Sequence, residues 1–368
     1  MTLRERCRLP SRPQAGDRRR SGQGGLLSVA ASGTARSARR KSSPLVGLIG
    51  DIGGTNARFA IGRYANGQVT IDHLRVLQAA DYPRGEDAVR AYLASLDGAV
   101  RPRFGVIAAA GPIEAGEVAF TNNTAWRFSE QSLVHVANLE RARLINDFAA
   151  QALALDHLQP DDWRALGPDD LEGDAGATKA ILGPGTGFGA GARVDDGKAR
   201  ATLTGEAGHM AFAPFDDVEA EILRRLTIRF GRVSIERLLS GPGLAHIYET
   251  LNTIQGVEAP AIEPLQITHR AMSGDVLCRA ALSRFCAMLG SVAGDLALVM
   301  GARGGVYITG GIAPDIYDYL RASAFRERFE DKGRMSPYLK RIPTRVVVRP
   351  DAALVGAASL LPDLESLA

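Results

Sequence analysis

The sequence predicts an α/β chain of two lobes, each a mixed β-sheet flanked by helices, and three observations carry that expectation. Short apolar runs ending at glycine-rich turns alternate with helix-periodic stretches from residue 45 onward. A strand–glycine turn–strand plan at residues 45–62 recurs at 178–194. The chain has 368 residues, 45% of them hydrophobic and 23% charged, so it is long enough for two cores.

The first lobe opens with Leu45-Val46-Gly47-Leu48-Ile49, an apolar run suited to a buried strand. A turn follows, then a second strand at 57–62, turn chemistry at 64–67 and a third strand at 69–77. Residues 86–97 read as a helix, and 103–109 and 143–145 as buried strands. Residues 160–176, rich in Asp, Gly and Pro, resemble a connection between lobes. The second lobe then begins near Thr178 with strands at 179–182 and 188–194. A long helix at 274–301 leads to a strand at 305–309 and to Gly310-Gly311. Val346-Val347-Val348 is a late strand, and Asp351 is placed to N-cap a last helix at 352–361. No apolar run looks long enough to span a bilayer.

Charge is distributed unevenly. Residues 1–44 hold eleven basic residues against Glu5 and Asp17, a balance of +9, whereas the rest has 33 basic against 39 acidic residues, or −6. A mildly acidic body gives no electrostatic case for nucleic acid or anionic membrane as partner. The basic segment lacks apolar periodicity and is expected to be a disordered extension. Targeting signal and nucleic-acid tail compete with a non-functional extension, which the composition favours: the apolar stretch 26–31 is short for a signal, and no aromatic residue is present to stack on bases. Of the three cysteines, Cys7 is in this segment, while Cys278 and Cys286 sit in the apolar-periodic 274–301 stretch and read as core thiols.

Four constellations carry chemistry. Gly50-Asp51-Ile52-Gly53-Gly54-Thr55-Asn56 joins two strands, with glycines expected at positive φ so that bare amides face an anion. Thr55 and Asn56 add donors, and Asp51 is a candidate to hold Mg²⁺ through water. A plain hairpin turn would need only one or two of these residues. The turn is no Walker A and no dinucleotide fingerprint, since it leads into a strand. Gly183-Pro184-Gly185-Thr186-Gly187 repeats the plan, implying a phosphate chain held between two lobes, and Gly310-Gly311 offers a third close approach. Asp147, in Ile145-Asn146-Asp147-Phe148, ends a strand where it can accept a hydroxyl proton or cap a helix; both roles coexist if Asn146 caps. Glu206 and His209 in Gly205-Glu206-Ala207-Gly208-His209, with Glu236, suit a polyol, because groups left unpaired by the wrong isomer discriminate against it. Zinc at His209 would want a cysteine cluster, and the next cysteine is Cys278. Thr121-Asn122-Asn123-Thr124 alone is a polar loop.

Together GDIGGTN (50–56), TNNT (121–124), INDF (145–148), GEAGH (205–209) and SIERLLSGPG (234–243) resemble the zinc-free, proteobacterial type of bacterial glucokinase, in order and over nearly everything from Leu45 onward. The related repressor and sugar-kinase group carries a cysteine-rich zinc motif after the corresponding His, and Met210 to Pro214 contains no cysteine. The resemblance implies the two-lobed actin-like ATPase (ribonuclease H-like) fold. The limits expected are 45–157 plus 350–368 for a small domain and 158–349 for a large one. It further implies ATP-dependent phosphorylation of D-glucose at the 6-hydroxyl, with Mg²⁺ and no zinc. Asp147 inherits the role of general base, and Asn122, Asn146, Asp147, Glu206, His209 and Glu236 match the sugar ligands. Gly50, Asp51, Ile52, Gly53, Gly54, Thr55, Asn56, Gly185, Thr186, Gly187, Gly310 and Gly311 match ATP-contacting segments. A cytoplasmic enzyme is expected, and since the family is often dimeric, 274–301 is a candidate homodimer interface. Two rival readings are a kinase for another hexose or phosphoryl donor, and a sugar-sensing regulator. The regulator would need a helix-turn-helix before residue 45, for which residues 1–44 lack the apolar positions.

Overall fold

The computed structural model describes residues 43–96, 98, 100–119 and 126–367. Cys7, the loop 121–124 and nearly all of the basic extension therefore lie outside the described residues. Leu45–Ile52 (β1), Asn56–Ala65 (β2) and Gln68–Gln78 (β3) form consecutive hairpins. Helix Gly85–Ala94 (α1) and strand Phe104–Ala109 (β4) follow, and then a small meander of Ile113–Glu114 (β5), Glu117–Ala119 (β6) and Arg127–Ser129 (β7). Helix Glu130–Ala137 (α2), strand Arg141–Asn146 (β8) and helix Asp147–Ala154 (α3) close this region. The sheet order is β3-β2-β1-β4-β8, with β1, β4 and β8 parallel.

The second sheet contains Trp163–Ala165 (β9), Lys179–Pro184 (β10), Phe188–Asp195 (β11), Arg200–Gly205 (β12), Gly305–Ile308 (β13) and Thr344–Val347 (β14), in the order β12-β11-β10-β13-β14-β9. Its helices are Asp217–Phe230 (α4), Gly241–Ile254 (α5), Pro264–Met272 (α6), Val276–Met300 (α7), Ile312–Asp315 (α8), Tyr317–Ala322 (α9), Phe325–Glu330 (α10) and Ser336–Leu339 (α11). Ala352–Ala358 (α12) and Leu361–Ser366 (α13) end the chain's described part.

Alternating side chains explain the layers. In β1, Leu48 joins one core with Phe59, Tyr92 and Trp126, while Ile49 faces another with Leu153, Leu354 and Leu361. In β10, Leu182 faces α7 through Leu282 and Phe285, while Ile181 faces α3 and α12 through Leu155 and Ala352. Helices α3 and α12 thus lie between the two sheets. They meet with no side chain between them, since a Cβ at Gly356 would fall 1.8 Å from the Ala150 carbonyl oxygen.

Several expectations need correction. The 160–176 segment is not only a connection, because β9 pairs with β14 as an edge strand of the second sheet. Asp351 precedes α12 but its side chain does not cap it; the carboxylate is held by Arg349 instead, at 2.8 and 3.3 Å, and α13 follows. Helix α7 is in fact long and apolar enough to cross a membrane by length and composition. It is 72% buried in that window, and most of its apolar side chains, Cys278 and Cys286 included, belong to the core, with Val276 and Val299 left exposed at its two ends.

Candidate active site

The first hairpin is held from behind. Gly53 N donates to Asn56 O at 3.0 Å, Ala79 N to Thr55 O at 2.9 Å, and Gln78 Nε2 to Asn56 Oδ1 at 2.8 Å. Gly53 does not adopt a left-handed φ, contrary to expectation, and a Cβ there would meet only the Asn56 carbonyl oxygen at 3.8 Å. What glycine provides at 53 is open backbone, not unusual backbone. Gly50 is glycine for packing, because its Cβ would lie 2.6 Å from Ile107 Cδ1, and Ile52 is wholly buried. Neither presents a side chain to a ligand. Asp51 stands opposite Arg58 on β2, Oδ2 to Nη1 at 3.4 Å. Its side chain keeps 20% of its surface open, yet burial pushes its carboxyl above the usual range, with Arg58 opposing.

Asp147 begins α3 but does not cap it. Asn146 Oδ1 accepts from Phe148 N at 2.9 Å and Ala149 N at 3.2 Å, which meets the helix's free amides. Asp147 is thereby left with one bond, from Phe148 N to Oδ1 at 3.0 Å. Burial pushes the Asp147 carboxyl up to about 6; the Phe148 amide opposes this, and the charges of Asp51 and Glu206 add to it. Three carboxylates from three segments therefore converge. A carboxyl poised near neutrality and still partly exposed has the chemistry of a base.

Glu206 follows β12 and His209 ends the short turn Ala207–His209; both are exposed. Arg232 Nη2 donates to His209 O at 2.7 Å, Ile235 N to Met210 O at 2.9 Å, and Ala211 bridges Ser234. This stitching brings Glu236 beside them. Farther along, Phe215 N donates to the buried Glu219, whose carboxylate is paired with Arg328 at 2.9 Å, so both ends of the segment are anchored. Glu236 Oε2 accepts from Phe188 N at 2.9 Å. Gly187 makes room for it: a Cβ there would lie 2.5 Å from Oε2.

The second hairpin has a different division of labour among its glycines. Gly183 and Gly310 pack β10 against the segment after β13, since their Cβ atoms would lie 2.5 Å from Thr309 O and 2.4 Å from Pro184 O. Gly310 alone of the singled-out glycines has a left-handed φ, +89°. Gly185 and Gly311 face open space. Beside them lies a cavity of about 280 Å³, its walls including Thr186, Pro242, Leu265 and Ile312. The largely apolar part of the wall comes from the starts of α5, α6 and α8. Gly185, Thr186, Gly241, Pro242 and Gly311 fall inside motifs visible in the sequence, whereas Leu265 and Ile312 do not. Asn122 lies outside the described residues.

A two-sheet fold with paired glycine hairpins, a base-like carboxylate between them and a largely apolar cavity beyond defines a kinase of the sugar-kinase, actin-like class. The family model for glucokinase matches residues 48–363. The chain is 51% identical over 319 residues to a glucokinase of Caulobacter sp. (strain K31), covering 86% of this chain and 96% of that one. The crystal structure of a glucokinase from an Antarctic psychrotroph superimposes with a TM-score of 0.77 at 37% identity, covering 87% and 99%. A ROK family glucokinase from Streptomyces griseus, solved with glucose and AMPPNP, shares the fold at 19% identity and a TM-score of 0.58, covering 87% and 100%. The chain belongs to the glucokinase family.

Proposed function

We propose that Asp147 is the general base of this enzyme, removing the proton of the glucose 6-hydroxyl as it attacks the γ-phosphoryl group of ATP. The reaction is ATP-dependent phosphorylation of glucose. The observation that carries the assignment of the base is the carboxyl of Asp147, half-buried, freed from capping by Asn146 and raised to about 6. Glu206, His209 and Glu236, stitched into one wall, hold sugar hydroxyls together with Asn146, whose amide nitrogen is not used by the cap, and Asn122. Gly53 to Asn56 and Gly185 to Gly187 let the phosphates approach closely. The Gly53 and Gly185 amides are used inside their own turns, while the space a Cβ would fill at each stays open. The cavity beside Thr186 and Gly311 takes the nucleoside. Gly50 and Ile52 support the turn from the core side.

The donor set fits Mg²⁺ brought with ATP. Asp51 is one partly open carboxylate, and among the described residues there is no cluster of three or more His, Cys, Asp or Glu that would cage a metal. Asp51 would hold the ion through water, phosphates completing the shell. When bound, the ion offsets charge on the transferring phosphoryl group. The chain's own part is to align the hydroxyl, accept its proton at Asp147 and exclude water by closure over the exposed Glu206 and His209.

The lobes are taken as 45–157 with 350–368, and 158–349. Packing of α12 and α13 against β1 and β4 supports the return of the C-terminal segment to the first lobe. A cytoplasmic setting suits buried, unpaired Cys278 and Cys286. The test is a coupled assay over a hexose panel with ATP, ADP and polyphosphate. Glucose with ATP should give the highest kcat/KM; no turnover of glucose with any donor would overturn the reading.

A further inference from the structure

The ring of Phe148 sits in a notch of the second sheet that exists only because residue 189 is glycine. A Cβ at Gly189 would lie 2.0 Å from Phe148 Cε2 and 2.1 Å from Cδ2. Gly191, on the same face of β11, is constrained less severely, since its Cβ would approach the Leu203 carbonyl oxygen to 3.0 Å and the Phe148 carbonyl oxygen to 3.1 Å. Two glycines on one face weaken a strand, which loses side-chain packing there. The strand is stripped at the place where Phe148 enters.

The backbone of Phe148 serves the proposed base directly. Its amide donates to Asp147 Oδ1 at 3.0 Å and to Asn146 Oδ1 at 2.9 Å. On the other side of the notch, Gly189 follows Phe188, whose amide donates to Glu236 Oε2 at 2.9 Å. Gly189 is fixed in place by its pairing with Gly183. A tilt of the Phe148 peptide would lift the ring out of the notch, so the ring's position fixes where the Asp147 carboxylate points.

We propose that Phe148 is a positioning residue that ties the base on α3 to Glu236 and the nucleotide-side hairpin through β11. The proposal rests on the assignment of Asp147 as base. Gly189→Ala forces the ring out and should lower kcat by about 10- to 100-fold, the cost of a small misplacement at a reacting centre. Glucose KM should stay within about threefold. Phe148→Leu in the Gly189→Ala background makes room for the methyl and should recover at least half of the lost kcat on a logarithmic scale. Thermal unfolding of each variant establishes that it is folded. If Gly189→Ala does not fold, Phe148→Ala makes the same test from the other side: a kcat at least tenfold lower with KM little changed supports the proposal, and an unchanged kcat overturns it. A folded Gly189→Ala with kcat within twofold of wild type, or a double variant no better than Gly189→Ala, also overturns it. Retained turnover in Asp147→Asn would defeat the base assignment instead, so the two failures are distinguishable.

Discussion

The two glycine hairpins share a plan and differ in what their glycines do. At 50–56 the turn brings charge: Asp51 faces Arg58 across the hairpin and adds its field to Asp147. At 183–189 there is no ionisable side chain, and the glycines bring shape. Gly187 clears space for Glu236, Gly189 for Phe148, and Gly183 closes against Thr309. Similar sequence punctuation therefore serves electrostatics in one lobe and steric fit in the other.

That contrast can be broken experimentally. The largest expected effect is at the base the charged hairpin acts on: Asp147→Asn should lose about 10²–10⁴-fold in kcat while still binding glucose by calorimetry. The same variant tests linkage. A folded-state pKa of about 6 lies above the ordinary 3.8, so ionised Asp147 costs stability as pH rises through 6. Asp147→Asn should therefore raise the thermal midpoint at pH 8 and leave it nearly unchanged at pH 3.5. Next in size, Gly187→Ala should displace Glu236 and raise glucose KM about tenfold, kcat falling less. If ATP KM moves instead, the steric role belongs to the nucleotide. Gly310→Ala should lower stability by about 1–3 kcal/mol in denaturant titration, through strain at positive φ and collision with Pro184, with glucose KM unchanged in the folded fraction. The smallest shift is in pH dependence, read apart from the loss of rate expected when the carboxylate proposed to hold the ion is removed. Activity should fall as pH drops through about 6, and Asp51→Asn, by removing a negative neighbour, should move that acid limb of kcat/KM to lower pH.

Much of the fold was legible because its strands are short apolar runs bounded by glycine, as in β1, β4 and β10. The dual possibility at Asp147 was legible too, and its resolution lay in Asn146, whose cap only coordinates reveal. The reasons for individual glycines were not legible. Gly50 and Gly187 look alike in a motif, yet one meets Ile107 and the other Glu236, neighbours distant in sequence. The rest of the cavity wall escaped for a related reason: Leu265 and Ile312 are ordinary helix-start residues until three segments meet. The hydropathy of α7 was hidden by Arg279, Arg284 and Asp295, which divide its apolar residues into shorter runs, and burial then marks it as a core helix.

The crossing of α3 and α12 at Gly356 has a mechanical consequence. Its backbones touch at Ala150, within one turn of Asp147, and both helices carry residues of the core layers on either side. A single methyl inserted there acts as a shim under both sheets at once, prying the layers apart at their narrowest joint. Residue 356 thus sets how closely α3 and α12 approach, and it does so by having nothing to add.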